Sequence, residues 1–534
     1  MSLAAGIWHP LSTRPRLAAL VLGLLAATGF EPLGLWPVAL AAMAAFAALL
    51  GEARDARRAA LLGWLFGVAH FTFGNNWIAA AFTHQAQMPA LLGWVAVPLL
   101  SLYLAVYPAL AALGARALAG PQESGGRRPW ALAFAFAGCW ILAEMMRARV
   151  FTGYAWNPFA MVLLGPFDRP GLAALSPWLG TYALSGLAVF LAAAVAALVR
   201  ERRRGVAAAV AVLLAVGMYL PAPPAGEGTV RFTLVQPDLT QDRIGDPRFY
   251  EANFVRLAQL SLPRREDGGR LVLWPESGLA DYLRPGYPQR YYDRTTALGD
   301  PRYARERLGR MIGPDSALMT GAVDLEIDRQ EHGGGRAIGA YNAVTALDSS
   351  GAILGGYAKA HLVPYGEYLP MRPLLEPLGL SRLVAGTIDF LPGPGARTID
   401  LGAHGKAGVQ ICYEIVFSGE VADRGNRPDY LFNPSNDGWF GTFGPPQHLA
   451  QARMRAIEEG LPVLRATTTG ISAVIDARGV VRQHFAQLAG GRMDGVVPPA
   501  AAPTLFARLG NALPLGWAMI FLVLAAVALR RSRG

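Results

Sequence analysis

The chain has 534 residues, of which 53% are hydrophobic and only 16% charged, against the roughly 25% charge usual in soluble domains. That balance excludes a disordered chain, which needs few apolar and many charged residues, and argues against a wholly soluble one. The 48 basic residues outnumber the 38 acidic ones, giving +10, but no basic stripe with interleaved aromatics is present and no nucleic acid is expected as a partner. Two cysteines, Cys139 and Cys412, are too few for a disulfide scaffold.

A bilayer-spanning helix needs ~20 mostly apolar residues. Candidate runs lie near 14–30, 35–50, 59–80, 90–114, 130–147, 171–199, 205–221 and 511–529, seven before a long polar block and one after it. Arginine clusters fall between alternate runs. Fifteen arginines sit in the N-terminal segment, in every second loop and in the C-terminal tail: Arg14 and Arg16; Arg54, Arg57 and Arg58; Arg116, Arg127 and Arg128; Arg200, Arg202, Arg203 and Arg204; Arg530, Arg531 and Arg533. The short loops on the other side hold only Arg147, Arg149 and Arg169. Basic loops stay cytoplasmic, so this pattern predicts both termini inside and residues ~222–510 outside the cytoplasm, in the periplasm of a Gram-negative cell. A cleaved signal peptide is the alternative for the first run, but cleavage would leave seven spans and put a terminus on the wrong side of the charge pattern.

Several membrane-half residues are more than apolar filler. Gly63-Trp64-Leu65-Phe66-Gly67, followed by Asn75-Asn76-Trp77, suits close helix packing with amides bonding across it. Glu144 and Arg147 share one helical face, where ionisable groups either pair or serve function. The turn-rich 152–158 segment, with Tyr154 and Trp156, reads as an interfacial aromatic belt.

From Thr229 to about Val497 short β-rich runs alternate with helical stretches, as in a layered α/β domain. Strands are expected at 230–236, 270–274, 317–323, 342–347, 352–357, 406–411, 429–432, 463–466 and 472–475, with helices at 249–260, 302–311 and 447–459. The division is therefore an N-terminal membrane domain over 1–227, an extracytoplasmic domain over 228–500, and a last helix with cytoplasmic tail over 501–534.

Three polar residues stand where such strands end, the place where ligands and chemistry gather in layered α/β folds. Leu271-Val272-Leu273-Trp274-Pro275 leads to Glu276, Gly355-Gly356-Tyr357-Ala358 leads to Lys359, and Gly408-Val409-Gln410-Ile411 leads to Cys412. Taken singly, these are a turn residue, a solvated charge and a small buried hydrophobe. Together they make a reaction. A thiol is mostly protonated at neutral pH and needs a base and a nearby cation. Glu276 can take its proton, and Lys359 can stabilise the thiolate and then a tetrahedral oxyanion, which describes acyl transfer through a thioester. A lone thiol in an oxidising compartment is also a liability unless used. Lysine itself is scarce: 46 of the 48 basic residues are arginine, so Lys359 marks a place where an ammonium is needed, although Lys406 has no such role.

In this order the three residues resemble the Glu-Lys-Cys triad of the nitrilase superfamily, built on an α-β-β-α sandwich. The segments 359–368, Cys412-Tyr413-Glu414, 433–441, Gln447-His448 and 453–458, together with the membrane runs and the Trp77, Glu144/Arg147 and Gly153/Trp156 segments, resemble its membrane-embedded branch, the bacterial apolipoprotein N-acyltransferases. The resemblance implies a polytopic helical membrane domain of about eight spans carrying the sandwich. It implies transfer of an acyl chain from a phospholipid to the α-amino group of an apolipoprotein's diacylglyceryl-cysteine at the inner membrane, by a monomer without metal or other cofactor. Cys412 would be the nucleophile, Glu276 the general base, Lys359 the cation and Glu367 a second carboxylate, with Tyr413 and Glu414 flanking the nucleophile. Two positions depart from the family pattern: Thr468 stands where an Asn is common, and no aromatic lies within 236–246 after the first strand.

Eight spans also suit a reaction whose donor and acceptor both carry acyl chains. The segment 369–390 could then form an apolar lid dipping into the outer leaflet. A tethered amidase acting on small C–N bonds would need one span. A transporter or scaffold with a dead enzyme fold would not need the intact triad. No HExxH, Walker A or Rossmann glycine signature is present, so no metal or nucleotide is implied.

Overall fold

The computed structural model describes residues 13–84, 89–120, 129–223, 226–264, 268–328, 335–378 and 388–531. Two compact units result, one of helices, from residues up to 79, 90–222 and 503–534, and one of mixed α/β structure, from 80–89 and 223–502. Arg127, Arg128 and Arg533 of the charge pattern, and 379–387 of the expected lid, lie outside the described residues.

Every apolar run is helical in the first unit. Leu91–Leu118, Pro129–Arg147, Leu172–Arg200 and Ala512–Arg531 are long and apolar enough to cross a bilayer, by length and composition. Pro15–Ala27, Trp36–Gly51 and Arg204–Tyr219 are apolar but shorter, and Ala56–Gly74 begins at Asp55, whose carboxylate accepts from the Arg58 N–H at 2.8 Å. The run read as one span at 90–114 divides into Leu91–Leu104 and Val106–Leu118. Pro108 has no N–H to give the Leu104 carbonyl, so a helical hydrogen bond is missing where the two meet.

Gly63 and Gly67 act as packing residues, as their spacing predicts. A Cβ on Gly63 would lie 2.6 Å from the Pro108 carbonyl, and one on Gly67 2.8 Å from Ala105 Cα. Glu144 and Arg147 find separate partners. Glu144 accepts from Trp140 Nε1 at 2.9 Å and from the Phe159 N–H at 2.8 Å, while Arg147 donates to the Trp156 carbonyl at 2.7 Å and lies over the Phe71 ring. The Tyr154 hydroxyl donates to Asn75 at 2.8 Å, and the Trp77 and Trp156 rings meet 4.5 Å apart, so the 152–158 segment is fastened inward as well as aromatic.

The second unit is built on two six-stranded sheets. The first contains β1 (Arg231–Gln236), β2 (Leu271–Leu273), β3 (Ala317–Asp328), β4 (Arg336–Asp348), β5 (Ile353–Ala358) and β12 (Gly491–Val496), in the order β12-β1-β2-β3-β4-β5. The second contains β6 (Thr398–Asp400), β7 (Lys406–Val409), β8 (Tyr430–Ser435), β9 (Val463–Thr467), β10 (Ala473–Ile475) and β11 (Val481–His484), in the order β11-β10-β9-β8-β7-β6. The inner strands β1-β2-β3 and β7-β8-β9 run parallel, and the outer ones are antiparallel. The sheets meet where Thr467 donates to Gln236 Oε1 at 3.0 Å. Helices Tyr250–Ser261 and Pro301–Ile312 cover the first sheet with Phe254, Leu257, Leu308 and Met311, packed on Val272, Trp274 and Leu318. Helix Gly444–Glu459 lies against β9 and β10 of the second.

All nine expected strands and all three expected helices of the α/β unit are present. Apart from strand ends such as Arg231 and Lys406, the parallel inner strands are buried where they pair, which is why they read as short continuous apolar runs.

Candidate active site

Glu276, Lys359, Glu367 and Cys412 meet in one buried cluster. Glu276 follows β2 through Trp274 and Pro275, and the neighbouring strand accommodates it with a glycine, since a Cβ on Gly321 would lie 2.8 Å from Glu276 Cα. Lys359 is the first residue after β5, held in place by its N–H to the Asn342 carbonyl at 2.8 Å and by its own carbonyl, which accepts from the Gly393 N–H at 2.8 Å. Cys412 begins the turn after β7 with φ 50°, a left-handed conformation that costs a side chain-bearing residue of order 1–3 kcal/mol and marks functional turns.

Hydrogen bonds connect the cluster. Lys359 Nζ lies 2.9 Å from Glu367 Oε2 and 3.7 Å from Glu276 Oε1, with only 1% of its side chain exposed. Asn342, on β4, stands between the two carboxylates and donates to Glu276 Oε1 at 2.6 Å and to Glu367 Oε1 at 2.8 Å. The Asn436 N–H donates to Glu276 Oε2 at 2.9 Å, and the buried Cys412 thiol lies close enough to the same carboxylate for each to shift the other's pKa. The Val363 N–H completes the shell of Glu367 at 2.8 Å.

The electrostatics follow from burial. Removal from water, the largest influence, raises Glu276 above the ordinary carboxylate range against the pull of Lys359. Burial and the Glu276 charge likewise push the Cys412 thiol well up, with Lys359 opposing them. For Lys359 burial works against the ammonium, but Glu367 and Glu276 outweigh it and hold its pKa above the usual lysine value. A dry pocket with two carboxylates therefore keeps its single ammonium charged. Moving the thiol proton to Glu276 creates a thiolate and removes a carboxylate, so the net charge of the pocket stays constant.

Glu414 plays a distinct part. Its Oε1 accepts from the Tyr357 hydroxyl at 2.7 Å and from the Ala360 and His361 N–H groups at 2.7 and 3.1 Å, and its Oε2 accepts from the Ile411 N–H at 2.8 Å. One side chain thus ties the loop after Lys359 to the turn that carries Cys412. Burial pushes it up to about 7 against those donors. Tyr413, buried beside it, packs edge-on against Phe417 with ring centroids 5.2 Å apart.

Sequence reasoning assigned no role to Asn342 or Asn436. Asn342 looks like an ordinary first residue of a strand, and only the pairing of β4 beside β3 brings it to Glu276. Asn436 stands in the polar Asn433-Pro434-Ser435-Asn436-Asp437 run at a strand end, a signal of the kind that singled out Glu276. Both departures from the family pattern converge there. Thr468 Oγ1 donates to Asn436 Oδ1 at 2.9 Å, and Gln241, from the loop without an aromatic, accepts from Asn436 Nδ2 at 2.9 Å.

Cys412, Asp437 and His448 place possible metal-ligand atoms within 4.8 Å of one another. The donors are committed elsewhere. Arg465 Nη2 bonds both Asp437 oxygens, at 2.9 and 2.7 Å, and approaches His448 Nδ1 at 3.0 Å, so a cation would meet a fixed guanidinium. The trio does not fit a metal centre.

Comparison with known proteins supplies the context of this geometry. The family model described as the apolipoprotein N-acyltransferase N-terminal domain matches residues 22–194, and the carbon-nitrogen hydrolase model matches residues 249–488. The apolipoprotein N-acyltransferase of Rhodopseudomonas palustris is 34% identical over 99% of this chain and 97% of its own length. That of Bradyrhizobium diazoefficiens is 33% identical over 97% of this chain and 95% of its own. Among solved structures, an amidase of the nitrilase superfamily from Nesterenkonia is 19% identical with a TM-score of 0.35, covering 55% of this chain and 95% of that one.

Proposed function

The chain belongs to the apolipoprotein N-acyltransferase family, and from that premise we propose that Cys412 carries an acyl chain as a thioester from a membrane phospholipid to the α-amino group of an S-diacylglyceryl-cysteine at an apolipoprotein N-terminus. The supporting observation is that Cys412 and Glu276 are buried together and electrostatically coupled, with Lys359 Nζ 3.7 Å from that carboxylate.

In the first half-reaction Glu276 takes the thiol proton as sulfur attacks the ester carbonyl of the donor. Lys359, fixed by Glu367, donates to the tetrahedral oxyanion. Collapse breaks the C–O bond, Glu276 returns its proton to the leaving lysophospholipid oxygen, and the thioester remains. In the second, the acceptor amine attacks the thioester carbonyl, Glu276 takes the amine proton, and the Cys412 thiolate leaves and recovers it. The product is an amide and the free thiol is restored, with no redox change. Tyr413 and Glu414 support the turn that presents Cys412.

The same reading assigns residues 1–227 and 501–534 to the membrane. It puts 228–500 on the periplasmic side of the inner membrane, in a protein that works as a monomer. The arginine asymmetry supports the orientation. Mass spectrometry of the purified protein after exposure to phospholipid is the test. A mass gain of one acyl chain on Cys412 is expected, and none in Cys412→Ser, because the same carboxylate cannot ionise an alcohol of much higher pKa. An adduct elsewhere, or near-normal turnover by Cys412→Ser, would remove Cys412 from this role.

A further inference from the structure

The left-handed turn at Cys412 is clamped from behind. Its carbonyl accepts from His448 Nε2 at 3.0 Å and, at 3.5 Å, from Asn433 Nδ2, which also donates to the Gln410 carbonyl at 2.6 Å. His448 sits on helix Gly444–Glu459 and is fully buried, with Phe440 edge-on to its ring. Its other nitrogen, Nδ1, lies 3.0 Å from Arg465 Nη2 and 3.0 Å from Asp437 Oδ1. Arg465 also donates through Nη1 to Asn433 Oδ1 and to Ser435 Oγ, the latter at 3.0 Å. Both groups that reach the Cys412 carbonyl are thus anchored on one buried guanidinium.

The partners define the ring. A carbonyl offers no proton, so the nitrogen facing it must carry one, and Nε2 is the donor. Arg465 can only donate, so Nδ1 presents its lone pair to the guanidinium. Burial and the Arg465 charge hold His448 below the ordinary imidazole range, consistent with a neutral ring carrying its proton on Nε2. Asp437 neutralises Arg465 through both oxygens, and its Oδ1 lies beside the same ring nitrogen.

We propose that His448, in its Nε2–H form, is a positioning residue for acyl transfer: it holds the Cys412 carbonyl so that the thiol stays aimed at Glu276 while the reacting carbon changes from trigonal to tetrahedral and back. The inference rests on Cys412 being the nucleophile. Near-attack geometry is steep in distance, and a misplacement of about 1 Å costs on the order of a hundredfold in rate.

Full-length wild-type protein, His448→Gln and His448→Phe are compared in mixed micelles of detergent and phosphatidylethanolamine. Glutamine keeps a donor for the carbonyl and an acceptor for Arg465, whereas phenylalanine keeps the ring shape and loses both. Single-turnover formation of the Cys412 thioester should slow on the order of ten- to a hundredfold in His448→Phe, with KM for the donor unchanged, and His448→Gln should recover most of the rate. Thermal midpoints accompany each rate. Should His448→Phe fail to fold, His448→Met, apolar and adaptable in shape, takes its place with the same expectation. A His448→Phe rate equal to wild type, a change in KM alone, or a His448→Gln rate as low as that of His448→Phe would each overturn the proposal. A wild type that forms no adduct on Cys412 would instead sink the nucleophile assignment, and this inference with it.

Discussion

Lys359→Arg is the substitution this chain makes almost everywhere else, and the site decides its outcome. Were Lys359 a surface charge, arginine would keep the sign and alter stability by under ~0.5 kcal/mol. Lys359 is instead 1% exposed, 2.9 Å from Glu367 and 3.7 Å from Glu276, with Asn342 filling the space between the carboxylates. A guanidinium adds two heavy atoms and a plane to a full pocket, and overpacking of that kind costs about 1–3 kcal/mol. Its bidentate preference would direct it onto Glu367 and Glu276 and away from a substrate oxyanion. Loss of one oxyanion donor costs about 2.7–4 kcal/mol of transition-state stabilisation, or roughly a hundred- to a thousandfold in rate. The expected result is a folded protein with a modestly lower thermal midpoint and nearly abolished acylation. Single-turnover transfer from a phospholipid donor to Cys412 measures it, with Lys359→Met as the companion. The Met variant leaves two buried carboxylates without their cation and should lose about 3–5 kcal/mol of stability as well. An Arg variant that acylates at the wild-type rate would take Lys359 out of the chemistry and leave the oxyanion without its proposed donor.

Two further outcomes test the electrostatics and the orientation. Burial, then the neighbouring Glu458 charge, push Glu459 up to about 7, so the native state binds that proton more tightly than the unfolded chain does. The resulting penalty is absent below pH ~4.5, grows as pH rises and is complete above 7, with an upper bound of about 3.5 kcal/mol. Glu459→Gln should therefore melt higher than wild type at pH 8 and converge with it near pH 5. A pH-independent difference in differential scanning fluorimetry would refute this. A phosphatase reporter fused after Val497 should be active, as the arginine pattern requires the polar block to leave the cytoplasm; cytoplasmic activity of a complementary reporter there would reverse the topology.

What the sequence made legible, and what it hid, divides along burial. The inner strands announce themselves because both faces are covered, as in Leu271-Val272-Leu273. The three strands not anticipated, β6, β11 and β12, all lie at sheet edges. β11 exposes Arg482, Gln483 and His484, so it has no apolar pattern to read. Within the site, Glu276, Lys359 and Cys412 were visible because each ends an apolar strand. Glu367 entered only through family resemblance, since it lies in the loop beyond Lys359 and its carboxylate gains meaning from a 2.9 Å contact. Asn342 needed the register of β4 on β3, which no local pattern encodes. The apolar 369–390 segment yields, among its described residues, the short helix Arg372–Leu375 with Leu374 exposed, and 379–387 lie outside them.

The scarcity of lysine shows how a compositional signal becomes a physical one only with geometry beside it. Two lysines survive among 46 arginines, and composition gives them equal weight. Lys406 begins β7, where its Nζ donates to Asn426 Oδ1 at 3.3 Å in an exposed setting, and an arginine there could do the same. Lys359 is enclosed with two carboxylates, and its reach to a point between them is what a compact ammonium provides and a planar fork does not. Arg465 makes the complementary case fifty-three residues beyond Cys412. There the two amino ends of a rigid plane, Nη1 and Nη2, meet Asp437, Asn433, Ser435 and His448 at once, which a single ammonium nitrogen could not span. The two cations are not interchangeable: one sits between two buried carboxylates beside Cys412, where the proposed mechanism develops charge, and the other anchors both groups that reach the Cys412 carbonyl.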